Sequence, residues 1–199
     1  MSHILFKDSQ TKENLMRAFA GESQARNRYL FSASKARKSN LHVVESVFKY
    51  TAEQELAHAR VFYDYLKEFA GENLLLNASY PIDVYDDALS LLRAAEHNEY
   101  QEFKEEYATF GRIAKEEGFN TIALSFNKIA EIEKTHGDRF KLFADLVEED
   151  RLFESETETQ WLCLNCGHIH KGKRAPDLCP VCQHNQGFFV SLSLAPFAK

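Results

Sequence analysis

Apolar residues recur at intervals of three and four along most of the chain, and each such stripe carries polar residues near its middle. The clearest stripe runs through Ile122, Phe126, Ile129, Glu133, His136, Phe140, Phe143 and Val147, the repeat of one helix face. A second contains Val44, Val47, Phe48 and Thr51, then Glu55 and His58, then Phe62, Tyr65 and Phe69. A third has Leu15, Ala18, Phe19, Glu22, Ala25 and Tyr29, and a fourth has Ala88, Leu92, Ala95, Glu99, Glu102, Phe110 and Ile113. Breakers and caps fall between them, at Ser39-Asn40, Gly71 and Gly118. The pattern predicts helices over residues 11–38, 41–70, 86–117 and 120–148, with a non-helical connection through Asn77-Ala78-Ser79-Tyr80-Pro81. Helices of about 30 residues with the longest connection in the middle predict an all-α four-helix bundle with one long crossover.

The helical period stops near residue 149. Glu154-Ser155-Glu156-Thr157-Glu158-Thr159 is acidic and aperiodic, which suits a linker. The remainder is short and turn-rich and holds all four cysteines. The expected organisation is a bundle over residues 1–149, a linker over 150–160 and a four-cysteine domain over 161–199. Composition narrows the function. The 16 Phe, 8 Tyr and 1 Trp exclude a disordered chain. Acidic residues outnumber basic ones, 30 to 24, which argues against a nucleic-acid partner. No run approaches the ~18 apolar residues that span a membrane. The start, Met1-Ser2-His3-Ile4-Leu5-Phe6-Lys7-Asp8, lacks the basic and apolar segments of an export signal, so a cytoplasmic location is expected.

The polar residues inside the stripes carry the chemistry. Antiparallel helices of similar length bring their midpoints to one level, so Glu22, Glu55, Glu99, Glu102 and Glu133 should converge with His58 and His136. No Lys interrupts the stripes there. Burying several carboxylates without counter-charge costs many kcal/mol, and two metal cations resolve that conflict. Glu55-Leu-Ala-His58 and Glu133-Lys-Thr-His136 are both Glu-x-x-His, a spacing that places carboxylate and imidazole on one helix face. Two such motifs, with a Glu from each remaining helix, form the ligand set of a carboxylate-bridged di-iron or di-manganese site. On the third helix, spacing allows Glu96 with Glu99 or Glu99 with Glu102; helical phase puts Glu96 on the flank and favours the later pair.

Cys163-Leu-Asn-Cys166 and Cys179-Pro-Val-Cys182 are two knuckles separated by twelve residues. Four thiolates so spaced can surround one ion tetrahedrally. Iron would make the module a one-electron carrier, and zinc a structural ribbon. So small a segment has little core, and the metal should hold its fold together.

The chain resembles the rubrerythrin family over nearly its whole length. The resemblance rests on Ala18-Phe19-Ala20-Gly21-Glu22-Ser23-Gln24-Ala25-Arg26-Asn27-Arg28-Tyr29, on both Glu-x-x-His motifs and on Phe110-Gly111-Arg112-Ile113-Ala114-Lys115-Glu116-Glu117-Gly118-Phe119. The tail is similar to a rubredoxin domain in Trp161-x-Cys163-x-x-Cys166-Gly167, Gly172-x-x-Ala175-Pro176-x-x-Cys179-Pro180-x-Cys182 and Phe188-Phe189. The family's Glu-x-x-Glu pair followed five residues later by Tyr fits Glu99, Glu102 and Tyr107.

This resemblance implies a ferritin-like di-iron domain ahead of a rubredoxin-like iron domain. It implies Glu55 and Glu133 as bridges between two irons, Glu22 and Glu99 as terminal ligands, and His136 beside Glu99. Glu102 and His58 would exchange on one iron, the carboxylate when ferric and the imidazole when ferrous. Tyr29 and Tyr107 would orient the carboxylates. The implied activity is reduction of hydrogen peroxide to water. Electrons would come through the four-cysteine iron from an external reductase or rubredoxin fed by NAD(P)H, in a homodimer or higher homo-oligomer. The competing reading is ferritin-like iron oxidation and storage.

Overall fold

The computed structural model describes residues 4–195. Met1, Ser2 and His3, on which part of the export-signal reading rests, lie outside the described residues, as do the extreme ends of both expected domains. Helix α1 (Gln10–Lys38) begins where the Ser9 hydroxyl accepts from the Lys12 N–H at 3.1 Å, satisfying one of the donors that a helix start leaves unpaired. Its last turn carries Lys35, Arg37 and Lys38, matched to the negative pole. Asn40, at φ 58°, turns the chain into α2 (His42–Tyr65). That helix ends earlier than its apolar pattern suggests; Lys67–Phe69 form a 3-10 turn and Gly71 (φ 90°) leads the chain away.

The crossover runs along the outside of α1, in the same direction. Arg17 Nε donates to the Asn77 carbonyl at 3.1 Å, and the Tyr80 hydroxyl to the Arg17 carbonyl at 2.9 Å. Arg28 pairs with Asp83 at 3.3 Å and Lys35 with Asp86 at 2.8 Å. Asp87 then caps α3 (Ala88–Gln101), accepting from the Ser90 N–H at 2.7 Å.

The third expected helix is not one uniform α-helix. After α3, Glu102–Glu106 form a π-helical turn, and α4 (Tyr107–Glu116) continues from it. The Tyr107 N–H donates to the Glu102 carbonyl, five residues back. The last helix, α5 (Asn120–Glu148), is unbroken. Helices α1 and α2 pack on each other, and α3 and α4 pack on α5. The apolar interior is in two parts. One contains Tyr29, Val44, Phe48, Leu92 and Phe140, and the other Leu15, Phe62, Tyr107, Ile122 and Phe126. The buried acids and imidazoles of the stripes lie between them.

The C-terminal part is a three-stranded antiparallel sheet of order β2-β1-β3: β1 (Glu154–Cys163), β2 (Ile169–Arg174) and β3 (Phe189–Ser191). Trp161 faces His170 on one side and Ser191 on the other. Its indole N–H donates to the Gly172 carbonyl at 3.0 Å, over a small core with Ala175 and Phe189. Here the expected linker needs correction. Residues 154–160 already belong to β1, whose first residue, Glu154, pairs with Arg174 in register and in charge, at 3.5 Å. The remaining connection is not free either. Leu152 is buried and, with Val190, joins the apolar cluster of α2 and α5. Phe188 stacks on His42 at 3.8 Å, and the Asn185 amide donates to Asn40 at 3.3 Å. Among the described residues no helix is long and apolar enough to cross a membrane.

Candidate metal centres

Six stripe residues meet in one layer: Glu22 from α1, Glu55 and His58 from α2, Glu99 from α3, and Glu133 and His136 from α5. They form two overlapping sets, Glu22/Glu55/His58/Glu133 and Glu55/Glu99/Glu133/His136, with the donor atoms of each set within 4.8 Å of one another. Glu55 and Glu133 belong to both. His58 Nδ1 lies 2.9 Å from Glu133, 3.4 Å from Glu55 and 3.8 Å from Glu22. His136 Nδ1 lies 2.7 Å from Glu133, 2.9 Å from Glu55 and 3.6 Å from Glu99. Glu22, Glu55, Glu133 and His136 are fully excluded from solvent, and Glu99 and His58 nearly so.

The donor atoms are conspicuously unsatisfied. Both oxygens of Glu55 and Glu133, one oxygen each of Glu22 and Glu99, Nδ1 of His58 and both ring nitrogens of His136 are buried without a hydrogen bond. Native interiors leave few such groups, and here they face each other across a common space. Two cations would satisfy this set, and its mixed carboxylate and imidazole chemistry suits iron or manganese. Without metal, protons must do that work. Burial and the adjacent Glu55 carboxylate push Glu22 up to about 8. Burial and Glu55 also raise Glu99 well above the carboxylate range. Burial opposes charge on His136, but Glu133, Glu55 and Glu99 push it up to about 12, and carboxylates raise His58 likewise. Glu55 is lowered, because its imidazole neighbours outweigh its burial.

Two tyrosines grip this layer from either side. The Tyr107 hydroxyl donates to Glu22 at 2.5 Å, and the Tyr29 hydroxyl donates to Glu99. Both are buried, and burial raises both phenols well above their ordinary range. They remain donors at neutral pH.

The four cysteines form the second centre. All are free thiols, with Sγ atoms within 4.8 Å of one another. Cys163 and Cys182 are 3.8 Å apart, and Cys166 and Cys179 3.6 Å. Four sulfurs at ~2.3 Å from a central ion are separated by about 3.8 Å in a tetrahedron. The knuckles repeat one geometry. The Cys163 N–H donates to His168 and the Cys179 N–H to His184, each at 2.8 Å; Gly167 (φ 77°) and Gln183 (φ 61°) occupy the matching left-handed positions. The backbone of His184 holds the Cys182 thiol down to about 6, favouring the thiolate that binds metal.

Comparison with known proteins agrees with both centres. Residues 13–144 match the rubrerythrin family, and residues 161–190 match the rubrerythrin rubredoxin-like domain. The chain belongs to the rubrerythrin family. It is 41% identical to a rubrerythrin of Clostridium perfringens over 184 residues, covering 92% of this chain and 94% of that protein. It is 40% identical to a rubrerythrin of Nitratidesulfovibrio vulgaris, covering 94% and 97%. A solved structure of nigerythrin in its fully reduced, all-ferrous state superposes with a TM-score of 0.62 at 26% identity, covering 96% of this chain and 93% of that one. The bundle is therefore ferritin-like, and its two clusters are those that could hold a rubrerythrin's di-iron pair and four-cysteine iron.

Within this rubrerythrin-family chain, Glu102 stands apart from the other expected ligands. It opens the π turn, is half-buried, and falls outside both donor sets. Burial and the carboxylates of Glu22 and Glu99 raise it well above the usual range. The π turn accounts for the spacing of Glu102 and Tyr107. Five residues along an α-helix turn a side chain about 140° away, whereas the five-residue hydrogen bond of the π turn keeps both on one face. Glu96 does not join the cluster; it pairs with Arg93 at 2.8 Å on the flank, and Glu106 is exposed. The stripes did not single out Arg139, one turn beyond His136, which donates to Thr51 and Gln54 at 2.9 Å and sits over the Tyr50 ring.

Proposed function

We propose that this chain is a non-haem di-iron peroxidase that reduces hydrogen peroxide to water and protects against oxidative stress. The observation that carries this reading is the pair of overlapping donor sets sharing Glu55 and Glu133, built on the same chain as a four-thiolate centre. When bound, the iron pair supplies the two electrons that O–O cleavage requires. Glu55 and Glu133, which belong to both donor sets, would be shared by the two ions, with Glu22 and Glu99 each held by one of them and His136 beside Glu99. His58, inside the cluster here, suits the lower charge of a ferrous pair, and Glu102 would replace it as an extra anion when the pair is ferric. Glu102 opens the π turn, the place on this helix where such an exchange would be accommodated. Tyr29 and Tyr107 hold the terminal carboxylates in orientation while this happens.

Iron held by Cys163, Cys166, Cys179 and Cys182 would pass electrons one at a time from an external reductase or rubredoxin, ultimately from NAD(P)H. The small domain docks at His42, sixteen residues and about 24 Å along α2 from His58. That separation favours delivery to the cluster of a second copy in a homo-oligomer. The cytoplasm is the compartment in which four reduced thiols would persist.

The test is anaerobic. Iron-loaded protein, reduced through a rubredoxin reductase and NADH, should consume one NADH per hydrogen peroxide, with the red colour of the four-cysteine iron bleaching and returning. Oxidation of many added Fe(II) ions per chain, with no peroxide-dependent NADH consumption, would instead establish iron storage.

A further inference from the structure

Gly137 and Tyr100 each follow a cluster residue, His136 on α5 and Glu99 on α3. The Tyr100 ring occupies the space that a side chain at residue 137 would need. An ideal Cβ at 137 would stand 2.9 and 3.0 Å from ring carbons Cε1 and Cδ1, and 3.3 Å from Cγ. Cγ is the root of the ring, so turning the ring about its own axis would not relieve that contact. Swinging the whole side chain away would break the bond from the Tyr100 hydroxyl to Asp138 Oδ1, 2.7 Å long. Asp138 is itself held by Lys134 at 2.7 Å, and the Lys104 ammonium covers the ring at 5.0 Å. The ring is therefore pinned, and the glycine is what lets α3 approach α5 at this level.

We infer that the Tyr100–Gly137 contact positions the second half of the cluster, setting the α3–α5 distance at which Glu99 and His136 can share one ion. This rests on the cluster's binding a metal pair. Glu99 Oε2 and His136 Nδ1 are 3.6 Å apart, and two donors each ~2.1 Å from one ion lie about 3–4 Å from each other. Glu22 and His58 stand on α1 and α2 and the shared Glu55 and Glu133 on α2 and α5, so Glu99 is the ligand that α3 alone carries. Tyr100 and Gly137 are positioning residues, and their influence should be selective for one ion of the two.

The test uses the full chain and Mn(II), which suits carboxylate and imidazole and competes poorly for thiolates. EPR counts free Mn(II) and separates a coupled pair from a single bound ion. The unaltered chain should bind a coupled pair. Gly137→Ala should weaken the second ion about 10- to 100-fold, the range typical of residues that orient metal ligands. Its spectrum should become that of one isolated bound ion, with helical content retained. Adding Tyr100→Ala should relieve the clash and bring the second ion back only as far as the level of Tyr100→Ala alone, because the contact itself is still missing. Should Gly137→Ala fail to fold, Tyr100→Ala alone decides, because it cannot clash. It should weaken the second ion while sparing the first. Equal weakening of both ions, or an unchanged pair in the variant that folds, overturns the inference. If the unaltered chain binds no ion at all, by Mn(II) or Fe(II), the metal reading fails along with it.

Discussion

Removing metal from the bundle should make its stability fall as pH rises, the reverse of ordinary acid sensitivity. The metal-free cluster holds protons where cations would otherwise sit. An unfolded chain gives up the Glu22 proton near 4.5, but the folded metal-free chain holds it until about 8. Because the folded pKa is raised, this stabilisation is complete below 4.5 and is lost as pH climbs towards about 8. The shift corresponds to about 5 kcal/mol at ~1.4 kcal/mol per pH unit. That is comparable to the whole stability of a modest domain, roughly 5–15 kcal/mol. His58 and His136 have the same sign, because both keep protons above the ordinary 6.5. Glu55, held low, acts only below 4.5. Urea unfolding of chelated protein, followed by helical circular dichroism from about pH 5 to about pH 8, should show a loss of several kcal/mol. Protein reloaded with metal should show little dependence over that range, since bound cations replace the protons. Metal-free stability that is flat, or that increases with pH, would refute the reasoning.

Four further outcomes are expected. Tyr107→Phe removes the hydroxyl that donates to Glu22 at 2.5 Å and should cost about 1–3 kcal/mol in the metal-free protein, with metal affinity at the Glu22/His58 half reduced; an unchanged affinity would deny Tyr107 an orienting role. Gly187→Ala would place a methyl carbon 1.6 Å from the Asn40 carbonyl oxygen and should lift the small domain off α2. Losing the His42–Phe188 stack and the burial of Val190 amounts to about 2–4 kcal/mol, and limited proteolysis should then cut between residues 149 and 154. Cys179→Ala should abolish four-cysteine iron and loosen the packing of Trp161, seen by fluorescence, while the helical content of the bundle is retained. Mixed oligomers of that variant with Glu133→Gln chains should regain peroxide turnover if electrons pass between copies, and remain inactive if they do not.

Much of this arrangement is legible in the sequence because its cause is periodic. The three-and-four repeat around Glu133 and His136 fixes a helix face, and Glu55 with His58 repeats it. The structure brings these four residues together with Glu22 and Glu99. The π turn leaves no such trace: Glu102-Phe-Lys-Glu-Glu106 consists largely of good helix formers, and one additional residue in a turn changes phase, not composition. Only the five-residue interval to Tyr107 marks it. The start of β1 was obscured for a different reason. Its alternating Thr and Glu residues face solvent, so the strand has a period without an apolar side, and its partners lie some fifteen residues further along. Gly137 is hidden because what it permits is a close approach to another helix, which no single segment encodes.

The separation of the apolar interior into two parts by a layer of acids and imidazoles also governs assembly. A purely greasy bundle can slide by one helical turn, about 5.4 Å, and still find oily neighbours. Here such a slip would drive Glu22 or Glu133 among the rings of Phe62, Phe126 or Phe140 and leave the remaining acids facing methyl groups. The groups that make this interior costly to form thus leave the helices a single vertical alignment, and the metal-binding layer keeps the register of the fold that surrounds it.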